Sequence, residues 1–153
     1  MKIYVDADAC PKVIKEVLYK VSQRLEVPLL LVADQRFKIP ESLLIEFLTV
    51  PVGIDAADEE IVRLATADDI VITADIPLAD EIVTKGAIAI NPRGEMYTPQ
   101  NIKSRLAVRD IMAEIRGTGE ATGGPPAFND KDKENFTNQL DRLLTKKIRK
   151  RNL

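Results

Sequence analysis

Lys2-Ile3-Tyr4-Val5-Asp6-Ala7-Asp8-Ala9-Cys10-Pro11 opens on an apolar strand, ends it in two aspartates and hands over to a helix. The helix reads from Pro11 to Arg24, with the proline at its first turn, where a missing N–H removes no bond. Outward from this unit the same alternation repeats. Leu29 to Ala33 is a second strand, followed by a polar loop over residues 34–45 with a short helix expected after Pro40. Phe47 to Val52 reads as a third strand, and Pro51 makes it an edge strand or marks its end. Asp58 to Ala67 is a helix, Ile70 to Thr73 a buried strand, Pro77 to Lys85 a helix and Ile88 to Ile90 a short strand. Strand–helix alternation of this kind predicts a three-layer α/β domain with a mostly parallel sheet of about five strands.

The remaining third is different. Asn91-Pro92-Arg93-Gly94 is a turn by composition, and Thr98 is placed to cap a helix running from Pro99 to about Arg116. Residues 117–128 carry four of the seven glycines and read as irregular. No Gly-Lys-Ser/Thr follows them, so they are not a phosphate-cradling loop. A last helix begins near Asp130 and ends in Lys146-Lys147-Ile148-Arg149-Lys150-Arg151. Both C-terminal helices are expected to pack on the sheet, making residues 1–153 one domain with a basic helix and tail within about 130–153.

Composition narrows the chemistry. The 153 residues include no histidine, no tryptophan and one cysteine, with 45% hydrophobic and 30% charged residues. Histidine-based triads, histidine-ligated zinc, cysteine cages and internal disulfides are thereby excluded. Carboxylate is plentiful, and hard oxygen ligands suit Mg²⁺ or Mn²⁺. No stretch approaches the ~20 apolar residues of a membrane span. With no signal sequence ahead of the first strand, the cytoplasm is the expected location.

In an open parallel sheet the ligand site lies beyond the carboxyl ends of the strands, where strand order reverses. The first strand delivers Asp6 and Asp8 to that rim. The third leads to Asp55 and Asp58, and the fourth to Asp75. Crowded carboxylates repel one another unless a cation neutralises them, so the five are candidate ligands of Mg²⁺ or Mn²⁺, with Asp6 and Asp75 as candidate catalytic groups. Helix capping is the competing account. It fits Asp55, Asp58 and Asp8, but does not require Asp6 or Asp75.

Three other features bear on function. Cys10 lies at a helix start, where a dipole can lower a thiol pKa, but without a histidine base a packed thiol is the expected reading. Arg105, Arg109 and Arg116 fall at i, i+4 and i+11 on one helical stripe, able to grip RNA phosphates or to pair with acids of the sheet region. The net charge of −2 conceals an asymmetry: residues 1–97 hold 17 acids and 10 bases, residues 98–153 hold 7 acids and 12 bases. A basic end can hold a polyanion beside the acidic rim, or the two regions can simply pair.

At Val-Asp-Ala-Asp-Ala-Cys-Pro, Asp-Ala-Ala-Asp and Asp-Ile-Val-Ile-Thr-Ala-Asp-Ile-Pro-Leu-Ala the chain resembles the YaiI/YqxD family of bacterial proteins. The likeness takes in Asn91-Pro-Arg-Gly94, Arg109-Asp110 and Gly-Gly-Pro-Pro, nearly the whole chain. More distantly, the order of its acids resembles PIN- and NYN-like metal-dependent nucleases, which implies a PIN-like fold and ribonuclease chemistry at Asp6, Asp55 or Asp58, and Asp75. Pro77 stands where the nuclease pattern has its second aspartate, and the asparagine after the first strand's aspartate is missing.

Two other readings compete with an RNA-cleaving enzyme. One is a non-catalytic, RNA-binding relative of these nucleases. The other is a haloacid-dehalogenase-like phosphatase, which Asp-x-Asp resembles, with Asp6 as nucleophile, Asp8 as acid/base and Thr73 on phosphate. Lys85 is a poor fit to the lysine that reading needs. A phosphate-accepting receiver domain fails because the third strand ends without an aspartate.

Overall fold

The computed structural model describes residues 1–117 and 126–151. The first strand, β1, spans Ile3–Asp6 and passes through one 3₁₀ turn, Ala7–Ala9, into helix α1, Lys12–Leu25. Pro11 is the N-cap residue of α1. Ile14, Val17, Leu18 and Val21 recur at helical spacing along its buried face. Strands β2 (Leu29–Ala33) and β3 (Ile45–Thr49) follow, then α2 (Ala56–Leu64), β4 (Ile70–Ile72), α3 (Ile76–Thr84) and β5 (Ile88–Ile90). Strand β6 (Met96–Tyr97), α4 (Ile102–Gly117) and α5 (Asp130–Arg151) complete the order.

The strands form one sheet in the order β3-β2-β1-β4-β5-β6, all parallel except β6, which pairs antiparallel with β5. Chain order therefore reverses between β1 and β4, as the alternation of strands and helices requires of a sheet covered on both faces. Period-2 alternation splits β1 between the two faces. Ile3 and Val5 join Leu29, Leu31, Ile70 and Ile72 under α1 and α5. Tyr4 joins Leu30, Val32 and Val71 under α2 and α3. Asp6 is the next residue on the Tyr4 side, and Thr73 the next after Val71.

Several expectations change. A sixth strand was not foreseen, because a two-residue strand carries no periodicity. No helix forms after Pro40; the Ser42 hydroxyl and carbonyl accept from Leu44 N–H and Ile45 N–H and turn the chain directly into β3. That strand runs Ile45–Thr49 rather than Phe47–Val52, and as the sheet edge it stops before Pro51. Helix α4 starts at Ile102, not Pro99, because Thr98 and Asn101 cap each other: Thr98 N–H donates to Asn101 Oδ1 at 2.8 Å and Asn101 N–H to Thr98 Oγ1 at 3.1 Å. The glycine-rich segment expected over 117–128 falls mostly outside the described residues, at 118–125.

Helix α5 covers the sheet with Phe136, Leu140, Leu143 and Leu144, all buried, whereas α4 is buried only at Ile102 and lies along α3. Direction matters. Near its start Asp132 meets Arg93 at 2.8 Å, just after the carboxyl end of β5; near its end Lys147 meets Asp68 at 3.5 Å, just before the amino end of β4. The basic run Lys146–Arg151 is thus helical and sits at the opposite end of the sheet from the carboxyl-end rim. The expectation that it holds a polyanion beside the acids is corrected: α5 runs antiparallel to the strands.

Gly94 lets α5 dock. Its φ is +92°, and a Cβ there would stand 2.6 Å from the Asn135 carbonyl carbon and 2.7 Å from Phe136 N. Gly94→Ala is expected to lower stability by more than about 1 kcal/mol in urea unfolding. Gly53→Ala, with nothing within 4 Å of the added methyl, is expected to shift it by less than about 0.5 kcal/mol. Equal effects at the two glycines would contradict this account of the docking.

Candidate functional site at the acidic rim

Asp6 ends the central strand, half-buried and flanked by β2 and β4. Its Oδ2 accepts the Thr73 hydroxyl at 3.0 Å. Thr73, fully buried, in turn accepts Asp75 N–H at 2.9 Å, so one hydroxyl ties the ends of β1 and β4 together. Burial raises the Asp6 pKa above the ordinary carboxylate value; the Thr73 bond opposes that, and Asp75 and Asp8 add to it by repulsion.

Asp75 is the N-cap of α3: its Oδ1 accepts Leu78 N–H at 2.9 Å, ahead of Pro77. Capping, which the sequence does not require of this residue, is thus one of its roles. Asp55 occupies the N-cap position of α2 in a left-handed conformation, φ +66°, and makes no side-chain cap bond. One turn further, the carboxyl of Asp58 stands within electrostatic reach of Asp75 and Asp6. Burial, with repulsion from Asp75 and Asp6, pushes Asp58 up to about 7. Held neutral, Asp58 adds no further charge to the crowding of Asp75 and Asp6.

The structure therefore brings Asp6, Asp58 and Asp75 into mutual electrostatic reach, with Asp55 beside Asp58. Asp8 is turned toward β2, where its Oδ2 accepts Asp34 N–H at 2.8 Å. Outside the pair lies a hollow of about 310 Å³. Asp55, Asp58, Glu59, Asp75 and Glu81 face it, with Pro77 and Leu78 from α3, and Arg109 is its one cation among the described residues. Glu59 and Glu81 went unnoticed in the sequence. Glu81 lies six positions after Asp75, about 120° away around the helix, so no helical spacing ties it to that residue.

The three arginines differ. Arg105 grips both oxygens of Glu95 at 2.7 Å. Arg109 meets Asp110 at 3.4 Å and reaches the acidic hollow, while Arg116 is exposed in the last turn of α4. Cys10 is buried and its thiol is pushed up to about 12, chiefly by desolvation, so it is the packed thiol expected. Lys85 closes α3 at its far end and donates to the Val62 carbonyl, and Thr73 already spends its hydroxyl on Asp6. Lys85 therefore cannot serve a phosphatase at the rim.

Among the described residues no three carboxylates or thiols form a ready-made metal cage. Mg²⁺ asks for less: it keeps most of its water and takes one or two carboxylates. The Asp58–Asp75 pair, with Asp6 behind it, meets that requirement by donor chemistry. No described helix is long and apolar enough to cross a membrane.

The sequence model of the uncharacterized YaiI/YqxD family matches residues 4–146. The UPF0178 protein of Maridesulfovibrio salexigens is 57% identical over 148 residues, 97% of this chain and 98% of its own. Those of Colwellia psychrerythraea and Hydrogenovibrio crunogenus are 55% and 56% identical, spanning 95% and 99% of this chain and 96% and 100% of their own. No solved structure matches.

Asp58 carries a raised pKa in the folded state, so folding favours its neutral form. Its contribution to stability is greatest at pH values where it holds its proton, and is lost as pH rises from the ordinary carboxylate range through about 7. Asp58→Asn is expected to raise the melting temperature at pH 8, the gain shrinking toward pH 4. A gain independent of pH would contradict the raised pKa of Asp58.

Proposed function

This chain belongs to the YaiI/YqxD family, and from its own geometry we propose that it is a metal-dependent phosphodiesterase acting on RNA. The observation that carries this reading is that separate segments following β1, β3 and β4 bring Asp6, Asp58 and Asp75 into electrostatic reach at the point of strand reversal, beside Arg109. Such a cluster is costly without a cation. The order of its acids along the chain supports a PIN-like nuclease rather than a phosphatase, since Lys85, the lysine weighed for a phosphatase, closes the far end of α3.

Asp58 and Asp75 would hold Mg²⁺ or Mn²⁺, with Asp6 adding charge from behind. When bound, the ion supplies activated water and counter-charge for the phosphoryl oxygens. The chain's own contributions are separable. Asp58, whose pKa is pushed up to about 7, would lose its proton to solvent in order to act as a charged ligand. Thr73 Oγ1–H holds the Asp6 carboxylate in one orientation. Arg109, facing the hollow, is placed to meet a phosphate with its fork of N–H donors. Asp55 extends the acidic wall toward α2. Pro77, in place of a second aspartate, narrows the ligand set to these residues.

Calorimetric titration with MnCl₂ is expected to release protons at pH 6 and fewer at pH 8. Asp75→Asn should weaken Mn²⁺ by about tenfold or more, through loss of a charged ligand. Because asparagine caps as well as aspartate, that variant tests charge without unwinding α3. Cleavage of single-stranded RNA should require the ion and fall by about 10²-fold or more in Asp6→Asn. Arg109→Ala should lower the salt slope of RNA binding by about one. RNA binding without cleavage under either ion would leave a non-catalytic RNA-binding module; unchanged Mn²⁺ affinity in both aspartate variants would remove the site.

A further inference from the structure

At the end of the sheet away from the acids, α5 closes over a hollow of about 500 Å³. Its floor is apolar: Ile88 opens β5, Met96 opens β6, and Leu143 comes from α5. Ile88 and Met96 are only half-buried, which leaves apolar surface open to a ligand. Its wall is cationic. Arg142, Lys146 and Lys150 follow at i, i+4 and i+8 on one stripe of α5, and Arg151 completes it. The one acid in the lining, Asp68, is already engaged by the Met1 amine at 2.9 Å and by Lys147 at 3.5 Å. None of the four wall cations has an ion-pair partner among the described residues.

Like charges at i, i+4 spacing cost stability. Cations in the last turn of a helix are explained by the dipole, which accounts for Lys150 and Arg151. It does not reach Arg142 and Lys146, one or more turns earlier, and it gives no reason for a half-open apolar floor beneath them.

We infer that this hollow binds a nucleoside phosphate, with the base on Ile88, Met96 and Leu143 and the phosphate on Arg142, Lys146, Lys150 and Arg151. Its volume falls in the ~300–1,000 Å³ range of small-ligand sites. Four unpaired cations exceed what one carboxylate neutralises and match a phosphomonoester of about −2 charge. The ligand chemistry has two sources, a free mononucleotide or the phosphorylated end of an RNA strand. This site stands apart from the acidic rim and does not depend on it.

The test is calorimetry on the full chain with AMP, adenosine, inorganic phosphate, and a short RNA with or without a 5′-phosphate. AMP is expected to bind saturably, with adenosine and phosphate each weaker by about tenfold or more. Lys146→Glu with Lys150→Glu should weaken AMP by about tenfold or more, with Arg142→Gln giving a smaller loss in the same direction. Both lysines and Arg142 are exposed, and an unchanged melting temperature will show that the variants fold. Asp75→Asn should leave AMP binding intact, which separates this site from the rim. If the 5′-phosphorylated RNA binds like AMP and the 5′-hydroxyl RNA does not, the source is an RNA end; if AMP alone binds, it is a free nucleotide. Absence of saturable AMP binding, equal binding by the charge-reversed protein, or phosphate binding as tightly as AMP would each overturn the inference.

Discussion

β1 is the constraint on which the rest depends. It is hydrogen-bonded to β2 on one side and β4 on the other, and buried on both faces. A strand so placed can expose only its ends, because every interior side chain must be apolar and every backbone group paired. The carboxyl end is also where the chain divides, β2 and β3 going to one side and β4 to β6 to the other. A polar residue there is delivered to a crevice that no neighbouring strand closes. Asp6 occupies that position, and its parity with Tyr4 aims it at α2 and α3, the two helices that carry the other acids.

Placing acids there works against folding, and the surroundings show where the cost is met. Asp6 and Asp75 are joined through Thr73, whose hydroxyl donates to one and whose oxygen accepts the backbone of the other. Asp75 recovers part of its solvation from Leu78 N–H at the positive end of α3. Asp58 has no such donor among the described residues and instead keeps its proton to near neutral pH. The rim therefore exchanges charge for a proton in the absence of a cation. It is a poised site rather than a relaxed one, in keeping with perturbed carboxylates in clefts.

Much of this was legible in the residues. The parallel sheet followed from the alternation, and the gathering of acids followed from their position after strand ends. Pro51 marked an edge or the end of β3, and the strand is the edge and stops two residues before it; Cys10 as a packed thiol followed from the missing histidine. Other features depend on contacts between segments far apart in sequence. β6 has only two residues, and its place is set by pairing with β5 and by the Asn91 side chain, which accepts Arg93 N–H and Glu95 N–H to shape the turn. The capping of α3 by Asp75 was hidden because Pro77 looked like the helix start. Arg105 looked free until β6 placed Glu95 against it. The direction of α5 was the largest gap: helical periodicity says which face is buried and nothing about which end points where.

That direction decides how the charge asymmetry acts. Asp132 and Lys147 are separated by fifteen residues of continuous helix, a rise of roughly 22 Å at ~1.5 Å per residue. The screening length at physiological ionic strength is about 8 Å. Exposed charges at the two ends of α5 thus act independently, and the basic run offers no relief to carboxylates at the rim. A net charge of −2 describes neither end. Whatever neutralises Asp6, Asp58 and Asp75 when an anion approaches must be local. Arg109 supplies one positive charge against five acids facing the hollow, so a phosphate cannot be held there by side chains alone. The balance has to come from protons or from a cation brought in from solution, and protons are lost from Asp58 as the pH passes about 7.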